Sequence, residues 1–500
     1  MKNVIAGVTR RFSLGSISGK TSSLPPRLSL LIFALPFQML AESLYWVYGR
    51  HGSLSIISLT MGLWLAWFSL IFLTAIPAVD RALRRYRRRL HLAAVAIIVL
   101  LAFVGIGEIV GLRLVSTGVL NETELASDLT EATDTFRYND ATALGHQASE
   151  TLLKGQNPYT EADILAALEE LDLPVGTVTP LKQGDFAEVF PYPTEAQLDE
   201  ALSEAKASGD AEPVEFVSTI SYPAGSFLFH TPFIALGLED LRVFYLLCAI
   251  AAGAIIFWRA PSRLRPLVVA AFLVSLVLWN LIATGTNDTL YVLFVLVGWM
   301  LRSRLWLAAL FMGLAASTKQ IAWFYVLFYL ILVLRETGWR PALHSLGGIL
   351  VVFSAINLPF ILDAPQHWLE GVLAPIADPV FPKGAGIVAF SVAGILPPNA
   401  LVFTLMEVAV LIVAAIWYYR AGYRYPQVGL LLAVLPLFFA WRSFSFYFYF
   451  ASLLVFGSVI VLEYGRSVRR TTPNSRPYAQ AVSLGANLAR RQRTTEIHDF

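Results

Sequence analysis

The 500 residues are 56% hydrophobic and 14% charged, with a mean hydropathy of +0.63, more apolar material than a soluble core of this size can hold. Lipid is therefore the solvent for most of the chain, and a net charge of +2, with basic residues clustered in short connectors, gives no nucleic-acid-binding face. The single cysteine, Cys248, excludes a disulfide framework and a multi-cysteine metal site within one chain.

In chain order, residues 1–27 are basic and Ser-rich, and the first apolar run starts late with no small-residue cleavage pattern, so they read as a cytoplasmic tail before a retained span. Residues 28–112 hold three apolar runs, near 28–48, 54–78 and 90–112, each long enough to cross ~30 Å of hydrocarbon as a helix. Residues 113–240 form the one large hydrophilic segment and carry about two-thirds of the chain's 35 carboxylates. Residues 241–463 read as a bundle of about nine further helices. The longer runs lie near 241–258, 265–283, 343–362, 400–418 and 445–463, and shorter ones near 288–302, 304–318, 321–335 and 427–441. The tail 464–500 is basic, polar and expected to be disordered.

Arginines set the orientation. Arg81, Arg84, Arg85, Arg87, Arg88 and Arg89 follow the second run, an excess that marks a cytoplasmic connector. With twelve spans, the basic connectors at 259–265, 302–304, 335–344 and 420–424 and both termini fall on the cytoplasmic side, and 113–240 falls outside. The expectation is an all-α polytopic membrane protein of about 12 transmembrane helices with a mostly helical extracytoplasmic cap, in the cell membrane.

Within the cap, Thr160-Glu161-Ala162-Asp163 opens a helix with Leu165, Leu168 and Leu171 at helical spacing, and Thr194 with Gln197 makes a capping box before Leu198 and Leu202. The stretch from Tyr222 to Gly237 is apolar but short and interrupted by Pro223 and Pro232. It is placed along the outer interface or as a re-entrant piece, because a full crossing would spoil the agreement of signs.

Ionisable groups near membrane depth are the first candidates for chemistry. Glu42 and Glu108 sit within spans and read as interhelical hydrogen-bonding groups. Asp288, Lys319 and Arg442 lie at span ends that the topology sends to the outer face, where a guanidinium fork and an ammonium suit a phosphate. Either cation alone is also compatible with snorkelling to lipid headgroups. In the cap, Asp134 and Asp140 are candidate general bases and equally fit solvated loop residues. His146 has no second histidine at metal spacing. The chain has no Walker loop, dinucleotide fingerprint, Gly-x-Ser-x-Gly elbow or His-Glu-x-x-His. An enzyme on the outer face, lacking a nucleotide-binding domain, needs an activated substrate delivered through the membrane, and a lipid phosphate meets that need.

Five groups of residues carry a resemblance. They are Asn139-Asp140-Ala followed by Ala148 and Leu152-Leu-x-Gly-x-Asn-Pro-Tyr159; Ser221-Tyr-Pro with Pro232-Phe and Leu236-Gly; Gly285-x-Asn-Asp288; Ser317-Thr-Lys319-Gln320; and Arg442-Ser with Tyr447 and Tyr449. In that order, over about 134–450, the chain resembles the GT-C type integral-membrane glycosyltransferases that use a polyprenyl-phosphate sugar donor, especially their mannosyltransferase-like bacterial and archaeal branch. The resemblance implies inverting transfer of a hexose or pentose to an acceptor hydroxyl on a lipid or glycan. Asp140 would be the base, with Asp134 the alternate, and Lys319 and Arg442 would hold the donor phosphate. Asp288, Asn287, Tyr222, His146 and Tyr159 would face substrate. No cofactor is demanded, and a divalent cation near Asp288 stays open. Two features depart from the family plan: three spans precede the loop where one is usual, and the acidic insertion at about 160–215 is long. Two other readings fit a twelve-span layout, a secondary transporter and a non-catalytic assembly protein; against the first stand the absence of paired repeats and of midplane charges beyond two glutamates.

Overall fold

The structure is a computed structural model, and it describes residues 24–48, 53–116, 138–171, 173–208 and 213–465. Asp134 and the tail from 466 onward lie outside the described residues. The chain is 75% helical with almost no strand, as expected of an all-α polytopic membrane protein. Seven helices are long and apolar enough to cross a membrane, and an eighth is added if the pair Ser262–Leu273 and Leu276–Ala283, bent by 50°, counts as one span. Three more apolar helices, Asp288–Met300, Leu305–Ala316 and Val428–Phe439, are shorter.

Burial follows helical periodicity. In Leu54–Thr74 the buried residues Ile57, Thr60, Met61, Trp64, Trp67, Phe68, Ile71 and Thr74 recur at three- and four-residue steps and form one stripe. Trp64 and Phe68 meet Phe448 edge to face at 5.1 and 5.3 Å, so the second helix is pinned to the last one, Ser445–Ser458. By contrast, Arg84–Gly111 and Ala400–Arg420 bury only 17% and 11% of their apolar windows, and their remaining surface is suited to lipid.

The cap is a small helical domain. Asp163 caps Ile164–Glu170 by accepting from Ala166 N at 3.0 Å. Thr194 N donates to Gln197 Oε1 at 3.0 Å and Gln197 N to Thr194 Oγ1 at 3.4 Å, the reciprocal pair that starts Glu195–Ser208. Leu144, Leu165, Leu168, Phe186, Leu198 and Phe216 form its core together with Phe381, which comes from a distant part of the chain.

Phe381 belongs to residues 364–399, a second extramembrane segment that carries no motif in the sequence. It runs from the helix Pro365–Ala377 into a two-residue strand β1, Lys383–Gly384, parallel to β2, Arg442–Ser443. Lys182 N donates to Pro379 O at 2.7 Å and Trp441 Nε1 to Val380 O at 2.6 Å, so this strap joins the cap to the connector carrying Arg442. Between Tyr222 and Gly237 there are two short helices, Gly225–Leu228 and Thr231–Ala235, neither long enough to cross a bilayer.

Candidate active site

Three short connectors, 284–287, 317–320 and 440–444, meet the cap at one end of the bundle, and the site is built from them. Asn139 begins the cap helix Asp140–Leu153: its Oδ1 accepts from Thr142 N at 3.0 Å while its Nδ2 donates to Thr284 O at 3.2 Å. Thr142 Oγ1 donates to the Gly285 carbonyl. Gly285 has φ +70°, and an added Cβ would come within 3.3 Å of Thr142 and Tyr138. The first turn of the cap helix, with Asp140 at its first position, is thus locked against the turn that leads into Asp288.

Asp288 starts the helix Asp288–Met300 and is fully buried. Lys319 Nζ donates to Asp288 Oδ2 at 2.7 Å and to Asn287 Oδ1 at 2.8 Å, a salt bridge whose partners are 7% and 0% exposed. The same ammonium lies 5.0 Å from the Tyr222 ring centroid and 5.7 Å from that of Phe446. Phe446 stacks on Phe444 at 5.2 Å, and the Arg442 guanidinium lies over Phe444 at 5.0 Å. Arg442 Nε is buried without a hydrogen-bond partner. An aromatic row therefore links the two cations named from the sequence.

The Tyr222 hydroxyl reports the convergence. Burial raises its pKa above the ordinary value, and the charges that act on it are, in order, Lys319, Asp288, Asp140 and Arg442. Its position is set by the backbone. Tyr159 Oη donates to the Tyr222 carbonyl at 2.7 Å, Gln320 Nε2 donates to Ser221 O at 2.7 Å and Val372 O at 2.8 Å, and Gly225 N donates to Ser317 O at 2.8 Å. An added Cβ on Gly225 would stand 2.5 Å from Ser317 O, which explains the small residue there.

Asp140, Asp288, Asn287, Tyr222, Lys319 and Arg442 come together. Lys319 Nζ is engaged with Asp288 and Asn287, which ties the ammonium to the start of the helix Asp288–Met300. Tyr159 supports Tyr222 from behind. His146 is buried on the cap helix, 6.4 Å from the Tyr138 ring, with both ring nitrogens unpartnered. It belongs to a separate layer with His230, whose Nδ1 lies 2.9 Å from Ser149 Oγ. Desolvation, then the charge of His146, lowers the His230 pKa to about 3.

Comparison with protein families, curated proteins and solved structures returns no match.

Two residues beside these candidates were given no site role by the sequence. Tyr447, part of the Arg442 motif, lies in the field of Tyr222, Asp288, Arg442 and Glu407. Lys383 is placed beside Arg442 by the strand register, and no local signal marks it. Among the described residues no group of three or more His, Cys, Asp and Glu side chains is arranged to hold a metal ion. Asp288, the candidate for that role, has Lys319 as its counter-charge, a donor set that does not fit a divalent cation.

Proposed function

We propose that this protein is a GT-C type membrane glycosyltransferase that moves a hexose or pentose from a polyprenyl-phosphate carrier to an acceptor hydroxyl of a lipid or glycan. The observation that carries the reading is the convergence of two unlike charged groups on the surroundings of one buried phenol. Asp140 and Arg442 both act on Tyr222, and among the described residues neither takes part in an ion pair. A carboxylate and a guanidinium so placed suit the two ends of a displacement at a sugar carbon.

The acceptor hydroxyl attacks the anomeric carbon and gives its proton to the Asp140 carboxylate as the new C–O bond forms. The bond from that carbon to the phosphate oxygen breaks through an oxocarbenium-like state, and its electron pair stays on the lipid phosphate. Arg442 receives the charge that builds there. Phosphate leaves readily, so no separate general acid is required. Lys319 holds Asp288 and Asn287 at the mouth of their helix, a rigid wall against which the sugar packs.

Topology supports the same reading. The reading takes the seven long helices, the bent pair, the three short apolar helices and Ile321–Thr337 as twelve crossings, which puts the arginine-rich connectors at the end opposite the site. On this reading the active site faces the extracytoplasmic side of the cell membrane and both termini face the cytoplasm. The bent pair is also a feature of secondary transporters, where broken helices line the substrate path.

One assay separates the two. In membranes supplied with polyprenyl-phosphate sugars and an acceptor, Asp140→Asn should lower transfer by a factor on the order of 10²–10⁴ with normal expression. Wild-type transfer rates in that variant would overturn Asp140 as the base. Uptake of a solute by vesicles containing wild type, with no sugar transfer, would favour the transporter.

A further inference from the structure

We propose that the arginine-rich connector between the second and third helices, together with the uncovered face of the third, is a binding site for an acidic phospholipid, at the end of the bundle where the first helix starts.

Six of the nine residues from Arg81 to Arg89 are arginines. They lie on three consecutive elements: the helix Ala78–Ala82, a single 3-10 turn Arg84–Tyr86 and the start of the helix Arg87–Ser116. Arg81, Arg84, Arg85, Arg88 and Arg89 are exposed, and among the described residues none of these five takes part in an ion pair. The adjacent carboxylate, Asp80, is already taken. Arg27 N and Nε donate to its two oxygens at 3.2 and 2.9 Å, and the Tyr464 hydroxyl donates to it as well. Asp80 is the one carboxylate between Glu42 and Glu108, so the five guanidiniums have no counter-charge in their own stretch of chain. The Arg85 guanidinium lies over the exposed ring of Tyr86 at 4.6 Å, an aromatic suited to the depth where headgroups meet hydrocarbon.

The third helix continues the site into the hydrocarbon. From Arg88, the residues Leu92, Val95, Val99, Phe103 and Ile106 follow at three- and four-residue steps and so share one face. All five are between 41% and 69% exposed. By helix rise the stripe from Leu92 to Ile106 is about 21 Å long, more than the ~15 Å depth of one leaflet. A free polyanion would use the arginines alone, whereas a phospholipid uses both parts, its phosphate on the guanidinium forks and an acyl chain along the stripe. The sign of the headgroup follows from the charge count. A zwitterionic headgroup brings its own cation to the cluster, and an acidic one does not. Attraction of an acidic lipid amounts to roughly fivefold in affinity per arginine near the surface.

The test uses the full chain purified in detergent, with bound lipids counted by native mass spectrometry during titration with phosphatidylglycerol or with phosphatidylcholine of the same chain length. Wild type should bind phosphatidylglycerol about tenfold or more tightly than phosphatidylcholine. Arg84→Gln combined with Arg88→Gln leaves Arg81, Arg85, Arg87 and Arg89 to hold the orientation. That variant should lose tight phosphatidylglycerol binding by a factor on the order of 25, with phosphatidylcholine binding and the lipid-free Tm in place; Arg84→Lys combined with Arg88→Lys should keep most of the affinity. Arg420→Gln combined with Arg424→Gln removes the same charge from another basic connector and should leave tight phosphatidylglycerol binding nearly unchanged. Equal losses in the two Gln pairs would make the attraction a matter of net charge and overturn the site, as would equal affinity of wild type for the two lipids. Displacement of phosphatidylglycerol by an equal concentration of glycerol phosphate would overturn the acyl-chain half, and with it a lipid as the ligand. Sugar transfer enters none of these readouts, so the outcome is independent of the glycosyltransferase reading.

Discussion

Asp288 and Lys319 are each nearly inaccessible to water, and each is tolerable there because the other is 2.7 Å away. Removing one partner leaves the other buried and uncompensated. Lys319→Met should therefore destabilise the protein by about 3–5 kcal/mol, whereas Lys319→Met combined with Asp288→Leu should recover most of that loss. Thermal unfolding of the single and double variants checks it, and additive losses would show that the two residues are not coupled. His230 supplies a pH dependence. Its folded pKa of about 3 lies below the usual 6.5, so its contribution is fully present above pH 6.5. As pH falls below 6.5 the unfolded chain takes up a proton that the folded chain does not. Stability then declines by about 1.4 kcal/mol per pH unit until the folded pKa is reached. Melting temperatures between pH 7 and 5 should fall less steeply in His230→Asn than in wild type.

Among the elements, the two-residue ribbon has an influence out of proportion to its length. It fixes a connector, 440–444, that has no regular structure except where β1 pairs with it. Gly384→Ala puts a Cβ into the Ser443 backbone at a φ that L-residues avoid, so strand and connector must separate. Transfer activity should drop about as far as in Arg442→Gln, while Tm falls by less than in Lys319→Met because the helical core is untouched; activity close to wild type would mean that Arg442 needs no ribbon. The cap helices behave differently. Their starts are local hydrogen-bonding patterns of four consecutive residues: the one at Thr194 with Gln197 is the capping box read from the sequence, and the other begins at Asp163, three residues after the Thr160 that opens the sequence pattern. The ribbon has no such local pattern, because its two strands come from segments far apart in the chain.

At the scale of the molecule, the end opposite the site is held by one buried guanidinium. Arg27, 3% exposed, bonds Asp80 at 2.9 Å and Glu463 at 2.7 Å, and lies 5.1 Å from the Tyr464 ring. Gln427 Nε2 extends the network from Glu463 Oε1 to Trp299, which donates to Gln427 Oε1 at 3.1 Å. The first helix, the connector after the second and the end of the last are therefore joined at a single residue. Arg27→Met should cost about 3–5 kcal/mol, moderated by the partial exposure of its two carboxylates, and should lower Tm without changing donor KM. A change in KM with Tm unmoved would mean that this end communicates with the site.

The sequence by itself determined the class of the molecule and singled out residues that the fold brings together. Apolar run length and helical period are local properties, and they require a lipid-solvated helical protein before any contact is known. Asp140, Tyr222, Asp288, Lys319 and Arg442 were legible because polar residues at the ends of apolar runs are conspicuous. Tertiary structure alone decided what each one touches. Packing gave Lys319 to Asp288, moved His146 into a layer with His230, turned Tyr159 into a support for Tyr222, and brought Lys383 beside Arg442. The physical reason is that charge pairing depends on distances of a few ångströms between segments remote in sequence. Those distances are set by how helices and connectors pack, a property that no local pattern in the chain encodes.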